Sequence, residues 1–584
     1  MSTADGQGHS RARRLAACAA WLACSGSLLA IHGPTLRAHF ELARDPLVFN
    51  DDARWSVYPY YRFSDPSSFT ADYAGAYVLA ATPAGLRAAY STAARWIDPM
   101  AFTTLAPYGL LLLSVVAIGA AAWRLGGVVS AWASAVLVIG SGYALGRMAD
   151  ATPRAYAFPL LALVLVALVW GRPVALAALV VIATLVYPPV AVCAGLALAL
   201  YLFVLPARDR GAAAGWTLRR RLLCLVVTAL LAGLAWLPVS LRSRAYGPLI
   251  TPNQTAEYPE AGPEGRLTTV ADRVPGPGLV VDVRRAVKKA LYGTGAPLVP
   301  PARRWFERRG NGRWALLAAL ALAGWVAAGW HRAEARRAAP FAAAALLGYL
   351  AASVAYPYLY FPERYLGYSI PVALSVVLPA GARVLVELLS AAIGRPWIRR
   401  GAVRALGAVT VAALVALLGG RSTTDTGLTV RVDPNVAAYD AVAVLAGDAL
   451  IAGWPRGALD NIPYLTRRQV LVSFEVHQPY HAGYVATMRR RTEALIAAYF
   501  ATTPDPIVAL RDQLGVTHLL VDLVHLANPP RYFQPFDDTV RRAVAQARGA
   551  TYEVLRQAGT AAVYRDRRYL LLDLSRVPGG RGGS

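Results

Sequence analysis

Over the first 420 residues, apolar runs long enough to span a bilayer alternate with short polar breaks. A helix crossing about 30 Å of hydrocarbon needs about 20 apolar residues. Residues 15–31, 105–123, 128–146, 155–170, 222–241, 314–330, 338–356, 365–385 and 405–420 supply such stretches. The run 173–207 carries no charge, and as one helix it would extend about 52 Å, too long for a single crossing. Tyr187-Pro188-Pro189 predicts the turn that divides it, because proline removes a backbone donor and blocks helix continuation. The pattern therefore predicts a polytopic α-helical domain, residues 1–420, with about eleven spans.

Beyond residue 420 the apolar runs shorten to strand length. Residues 449–454, 469–473, 517–522, 561–565 and 569–574 read as strands. Residues 482–500, 506–514 and 538–548 read as helices between them. Strands alternating with helices predict a soluble α/β domain over 421–584, long enough for its own core.

Composition agrees with lipid as the main solvent. Hydrophobic residues make up 56% and charged residues only 16%, against about 25% in soluble proteins. Disordered, collagen-like and disulfide-rich classes are excluded. Cys18, Cys24, Cys193 and Cys224 lie in apolar runs and read as small hydrophobes, not as metal or disulfide ligands.

The net charge of +25 raises nucleic acid as a partner. The basic residues are nearly all arginine, however, and cluster between apolar runs without zinc-finger spacing or an RNA-binding signature. This is the pattern of a membrane protein facing anionic cytoplasmic lipid. With the N-terminus cytoplasmic and the first run retained as a span, alternation puts Arg124, Arg172, Arg208, Arg210, Arg332, Arg336 and Arg337 inside. Three long segments, 32–106, 242–313 and 421–584, then face out, and connections this far beyond the usual 4–6 residues carry function.

The candidate chemistry gathers on that outer side. The first outer loop opens with Asn50-Asp51-Asp52-Ala53-Arg54. Two helices are expected to follow, one over 65–80 with Phe69, Tyr73 and Tyr77 on one face, and one started by Thr82-Pro83. Their aromatic faces suit the membrane interface, as a cap on the bundle or as a platform holding acids over a lipid-borne substrate. The short loop 147–154 carries Asp150 and Arg154, and Tyr187 lies at the same face.

Glu363-Arg364 sits where a span begins. A charge at that boundary costs about 2.5–3.5 kcal/mol, so Arg364 requires a partner. That partner is Glu363, another loop acid, or a lipid phosphate that fits the guanidinium fork. The segment 242–313 is rich in proline and glycine, with Arg284, Arg285, Lys288 and Lys289 on a short helix, and reads as a cover. In the C-terminal domain, 454–455, 460–463 and 474–481 read as recognition loops. His477 and His481 are four apart, but Pro479 argues against a helix there and no third ligand is visible, which disfavours a metal pair.

This arrangement resembles the GT-C superfamily, multispanning glycosyltransferases that use polyprenyl-phosphate-linked sugars. The shared features are one span, a large outer loop with an early acidic pair, interfacial helices, and a soluble domain after the last span. The resemblance implies that Asp51 or Asp52 serves as catalytic base or as ligand to a divalent metal ion such as Mg or Mn. It implies Asp150 at the second-loop acidic position and Arg364 on the donor phosphate, helped by Arg154. Arg54, Tyr187 and Glu363 complete the expected substrate-binding set. A single acid replaces the D-x-D pair, and the W-W-D signature of oligosaccharyltransferases is absent, which argues against that branch. The implied partners are the bilayer, a polyprenyl-phosphate-linked sugar, and a glycan, lipid or protein acceptor.

Arginine- and alanine-rich usage with little lysine suggests a bacterial inner or plasma membrane, with the C-terminal domain outside it. Two other classes compete. A transporter or flippase would place ionisable residues inside the spans and show internal repeats, and neither is visible. A non-catalytic, glycan-binding envelope scaffold would not need Asp51, Asp52 and Arg364 to converge.

Overall fold

The computed structural model describes residues 25–140, 143–266, 277–292, 323–324, 326, 332–392, 426–433 and 437–578. Most of the expected span 314–330, the whole of 405–420, the start of the first span, Cys18 and Cys24 lie outside the described residues.

In lipid every backbone polar group needs an internal partner, so the apolar runs form helices. Among the described residues, four helices are long and apolar enough to cross a membrane: Pro99–Gly140, Leu218–Tyr246, Ala333–Val354 and Glu363–Val384. Three shorter apolar helices, Pro153–Val169, Pro173–Val186 and Pro188–Val204, pack with them. Pro99–Gly140 is two arms joined at Gly127, whose φ of +75° is left-handed. That backbone favours glycine, and a Cβ there would also displace the Arg383 guanidinium, whose Nη1 lies 2.5 Å from its position. The uncharged run breaks at Tyr187, which is extended (φ −148°, ψ 91°), where the two prolines begin the next helix.

The connections expected on the cytoplasmic side meet at one end of the bundle. There Arg336 donates to both carboxylate oxygens of Asp209, at 2.6 and 2.8 Å. Arg124 pairs with Glu334 at 2.9 Å, and Arg332 and Arg383 both pair with Glu387, at 2.7 and 2.9 Å.

The α/β domain sits on the other end. Its strands are β3 (Leu450–Gly453), β4 (Gln469–Val470), β5 (His518–Asp522), β6 (Ala562–Arg565) and β7 (Tyr569–Asp573), in the order β4-β3-β5-β7-β6. The first three are parallel, and β7 and β6 are antiparallel to their neighbours. A further pair, β1 (Val48–Phe49) with β2 (Val430–Arg431), ties the start of the first outer loop to the segment leading into this domain.

Three expectations are corrected. The helix expected over 65–80 is shorter, Tyr73–Ala81, and Phe69 precedes it with φ +59°. The aromatic residues of this loop face protein, not the bilayer: Tyr77 stacks on Tyr484 at 3.8 Å and Tyr60 on Tyr90 at 4.0 Å. Burying Tyr77 against the α/β domain, and Tyr60 and Tyr90 against each other, removes more apolar area from water than lying on the interface would. Asp460 and Asn461 belong to the helix Ala458–Thr466, not to a loop.

The segment following Arg242 is docked as far as Arg266. Ile250 donates its backbone N–H to the Tyr480 carbonyl at 2.8 Å, and Arg489 holds both oxygens of the buried Glu260 at 2.6 Å.

Candidate active site

The first cluster grows from the turn after β1. The Asn50 side-chain oxygen accepts from the Asp52 backbone N–H at 3.0 Å, an Asx turn that starts the short helix Ala53–Ser56. Asn50 Nδ2 donates to the Gly427 carbonyl at 2.5 Å, and its backbone N–H donates to Asp150 Oδ2. This knot presents Asp51 and Asp52 side by side.

Arg154 reaches the knot from the short loop between two spans. Its Nη1 lies 2.7 Å from Asp52 Oδ2, and its Nη2 lies 3.0 Å from Asn50 Oδ1 and 3.7 Å from Asp51 Oδ1. The Trp55 indole N–H adds a 3.3 Å bond to Asp52 Oδ1. Asp52 is thus oriented by two donors with 23% of its side chain exposed, whereas Asp51 is 48% exposed and loosely held.

Asp150 does not face this opening. It is buried beneath Asn50, with left-handed φ values at Asp150 (+56°) and Ala151 (+45°). Burial pushes its carboxyl from an ordinary 3.8 up to about 7, and the Asn50 N–H offsets only part of this. Its role here is to hold Asn50. The folded carboxyl keeps its proton until about pH 7, while the unfolded one loses it near 3.8. In that window the folded state binds more protons, so stability falls as pH rises from about 4 to 7. Asp150→Asn is expected to keep the Asn50 contact and flatten this dependence, read by thermal unfolding of both proteins across that range.

Arg54 is closed into a buried network, with Asp460 Oδ2 at 2.8 Å and Glu475 Oε1 at 3.0 Å. Arg266 reaches the other Glu475 oxygen at 3.2 Å. Burial, then the Asp460 charge, pushes Glu475 up to about 7 against both arginines. Next to it, the Phe474 ring lies between two guanidinium groups, Arg266 at 3.7 Å and Arg456 at 3.9 Å from its centroid.

The second cluster surrounds Arg364 in the first turn of the helix Glu363–Ala392, where the half-buried Glu363 precedes it. Arg364 Nη1 donates to the Tyr187 hydroxyl at 3.3 Å, and the guanidinium lies 5.0 Å from the Phe361 ring centroid and 5.8 Å from that of Tyr360. Among the described residues no carboxylate lies within ion-pair distance of Arg364. Of the partners expected from the sequence, neither Glu363 nor another described acid neutralises it.

Two structural links join the clusters. The Tyr143 hydroxyl donates to the Gly367 carbonyl at 2.9 Å, fastening the chain that leads to Asp150 and Arg154 onto the helix of Arg364. The loop 474–481 touches both, through Glu475 on Arg54 and through Tyr480 beside Phe361, with ring centroids 6.5 Å apart. Gly427 is a keystone of the first cluster. Its φ is +70°, and a Cβ would collide with the Gly146 carbonyl oxygen. Gly427→Ala is expected to destabilise the protein by about 1–3 kcal/mol and to lower activity by unseating Asn50, which thermal unfolding and a transfer assay would read together.

A divalent ion needs several converging oxygen ligands. At Asp51 and Asp52 the Arg154 guanidinium already supplies the cation, and Asp150 is turned away to Asn50. Among the described residues no three His, Cys, Asp or Glu side chains converge. These residues do not fit the expected metal. His477 and His481 also part company: His477 Nδ1 bonds the Tyr532 hydroxyl at 3.2 Å and His481 Nδ1 the Tyr77 hydroxyl at 2.8 Å. A cleft of about 750 Å³ on the α/β domain is lined by Glu264, Arg531, Asp537, Arg541 and Arg548, and none of the expected site residues lines it.

The chain has the GT-C fold: a polytopic helical bundle carrying its acidic outer loop and a small α/β domain at one end. A solved structure that shares it is ArnT from Cupriavidus metallidurans in the apo state, at 15% identity and a TM-score of 0.51, covering 96% of this chain and 100% of that one. ArnT from the same organism bound to undecaprenyl phosphate matches at 14% identity over 95% and 100% of the two chains, with a TM-score of 0.48. The oligosaccharyltransferase AglB of Archaeoglobus fulgidus, in complex with an inhibitory peptide and a dolichol-phosphate, matches at 13% identity over 85% and 69%, with a TM-score of 0.42. No protein-family model matches the chain, and no curated protein matches it.

Asn50, Glu475 and Tyr480 were not singled out individually by the sequence. Of these only Asn50 carries a local signal, because an Asn side-chain oxygen can accept the backbone N–H two residues on and start a turn.

Proposed function

We propose that this protein is an integral-membrane glycosyltransferase that moves a sugar from a polyprenyl-phosphate donor to an extracytoplasmic acceptor. The observation that carries the reading is Arg364, a partly buried guanidinium with no carboxylate partner among the described residues, walled by Tyr187, Tyr360 and Phe361 at the end of the bundle where Asp51 and Asp52 also lie. Such a group is a receptor for phosphate.

In this reading Asp52, oriented by Arg154 and Trp55, accepts the proton of the acceptor hydroxyl. The acceptor oxygen bonds to the anomeric carbon as the bond from that carbon to the phosphate oxygen breaks. The departing polyprenyl phosphate keeps the electron pair, and its charge is held by Arg364. The acceptor enters from the α/β domain side, and the donor lipid lies along the bundle. The cation contributed by Arg154 leaves no role for a divalent ion at the acids, so transfer is expected to be unaffected by chelator. The test is a transfer assay on purified protein with a lipid-linked sugar donor, with and without chelator. Absence of transfer from every polyprenyl-phosphate sugar offered would remove the proposal.

A further inference from the structure

At the opposite end of the bundle, the connection between the helices Pro188–Ala199 and Leu218–Ser243 carries Arg208 and Arg210 with Asp209 as its one acid, and Arg219, Arg220 and Arg221 follow in the first turn of the second helix. Asp209 is already engaged. Its carboxylate takes both bonds from Arg336, and its carbonyl accepts from Arg337 at 2.5 Å.

Arg210 is left over. It is 7% exposed, its Nε has no hydrogen-bond partner, and among the described residues it has no ion pair. Burial and the neighbouring Arg221 charge both disfavour its charged form. A buried guanidinium without a counter-charge is costly, and such a site is completed by an anion.

The position of Arg210 is built, not incidental. The Tyr201 hydroxyl donates to its carbonyl, and Gly211, with φ +54°, packs its backbone on Gly171. Arg221, whose charge is felt at Arg210, bonds the Trp216 carbonyl through Nε and Nη2 at 3.0 and 2.8 Å, and among the described residues its Nη1 has no acceptor. Arg220 covers the Trp216 ring at 4.7 Å, an arrangement suited to a membrane interface. On the same helix as Arg221, Leu218, Leu222 and Leu223 flank Arg219–Arg221 and are exposed, an apolar surface for acyl chains.

We propose that Arg210 and Arg221 hold the phosphate of an anionic phospholipid of the surrounding bilayer, at the end of the bundle away from the candidate active site. The exposed leucines select a lipid over a soluble phosphate, because only a lipid covers them while its headgroup neutralises the arginines. The site is independent of the transferase reading.

The full chain, purified in detergent and incubated with phosphatidylglycerol or phosphatidylcholine, is examined by native mass spectrometry. Wild type is expected to retain phosphatidylglycerol preferentially. Arg221→Gln, on a half-exposed helix position, is expected to weaken that retention by about fivefold, the factor for one interfacial arginine. Arg210→Gln is expected to weaken it at least as much, and Arg210→Lys, which keeps the charge if the glutamine variant does not fold, less. Arg208→Gln, whose side chain is 81% exposed, is expected to leave retention unchanged. Equal retention of the two lipids by wild type overturns the proposal, as does unchanged retention in Arg221→Gln. Displacement of the lipid by inorganic phosphate alone would reassign the site to a soluble anion and overturn the lipid assignment.

Discussion

Asp52→Asn is expected to lower the rate of sugar transfer by about 10²–10⁴-fold, the usual contribution of a positioned general base. The asparagine keeps the size of the side chain, and its one oxygen can still accept from either Trp55 or Arg154, so the fold and the Asn50 turn, which uses the residue 52 backbone N–H, are expected to survive. Its amide cannot take a proton at neutral pH. The loss should therefore fall on kcat, with KM for the donor little changed. Asp51→Asn separates the two acids. Asp51 lies 3.7 Å from Arg154 and is half exposed, so its carboxylate is hydrated and weakly oriented. A smaller loss is expected there than at Asp52. Wild-type turnover in both variants would remove the acid pair from the mechanism.

Arg364→Ala is expected to lower kcat/KM by about 10²–10³-fold, as removing one partner of a desolvated charge pair costs about 2–5 kcal/mol. Its effect on stability is expected to have the opposite sign. In the free protein this guanidinium has no carboxylate among the described residues, so deleting it removes an uncompensated charge at the membrane boundary. The thermal unfolding temperature of the variant is expected to stay level or rise while transfer collapses. That divergence distinguishes a binding residue from a structural one, because loss of a structural arginine would lower both. Arg364→Lys keeps the charge but not the planar fork and is expected to fall between the two. A variant that unfolded early while retaining transfer would assign Arg364 to packing instead.

Much of the candidate site was visible in the sequence for a specific reason. Charges and prolines are costly in lipid, so each one in an apolar chain marks a position. Tyr187-Pro188-Pro189 predicted the helix break, and the break puts the Tyr187 hydroxyl 3.3 Å from Arg364. Arg364 itself was conspicuous because it begins a span. The strands of the α/β domain were legible from their length and alternation, and β3, β5, β6 and β7 fall within a residue or two of their expected limits.

The partners of these groups were not legible. Arg54 stands beside the acid pair in sequence, and local reasoning puts it in the substrate cleft. It is bonded instead to Glu475, 421 positions away, and to Asp460. Asp150 read as a second acid of the opening, and the left-handed turn at Asp150 and Ala151 buries it under Asn50.

Span periodicity, the positions of the breaks and the clustering of Arg124, Arg208, Arg210, Arg332, Arg336 and Arg337 between spans follow from the sequence alone, because the cost of placing each residue in lipid or water depends mainly on that residue. Which acid stays open, which arginine is neutralised and which is left for a ligand were decided by the tertiary structure. These are properties of pairs, and β1 with β2, Asn50 on Gly427 and Arg54 on Glu475 bring together groups whose separation along the chain carries no local signal.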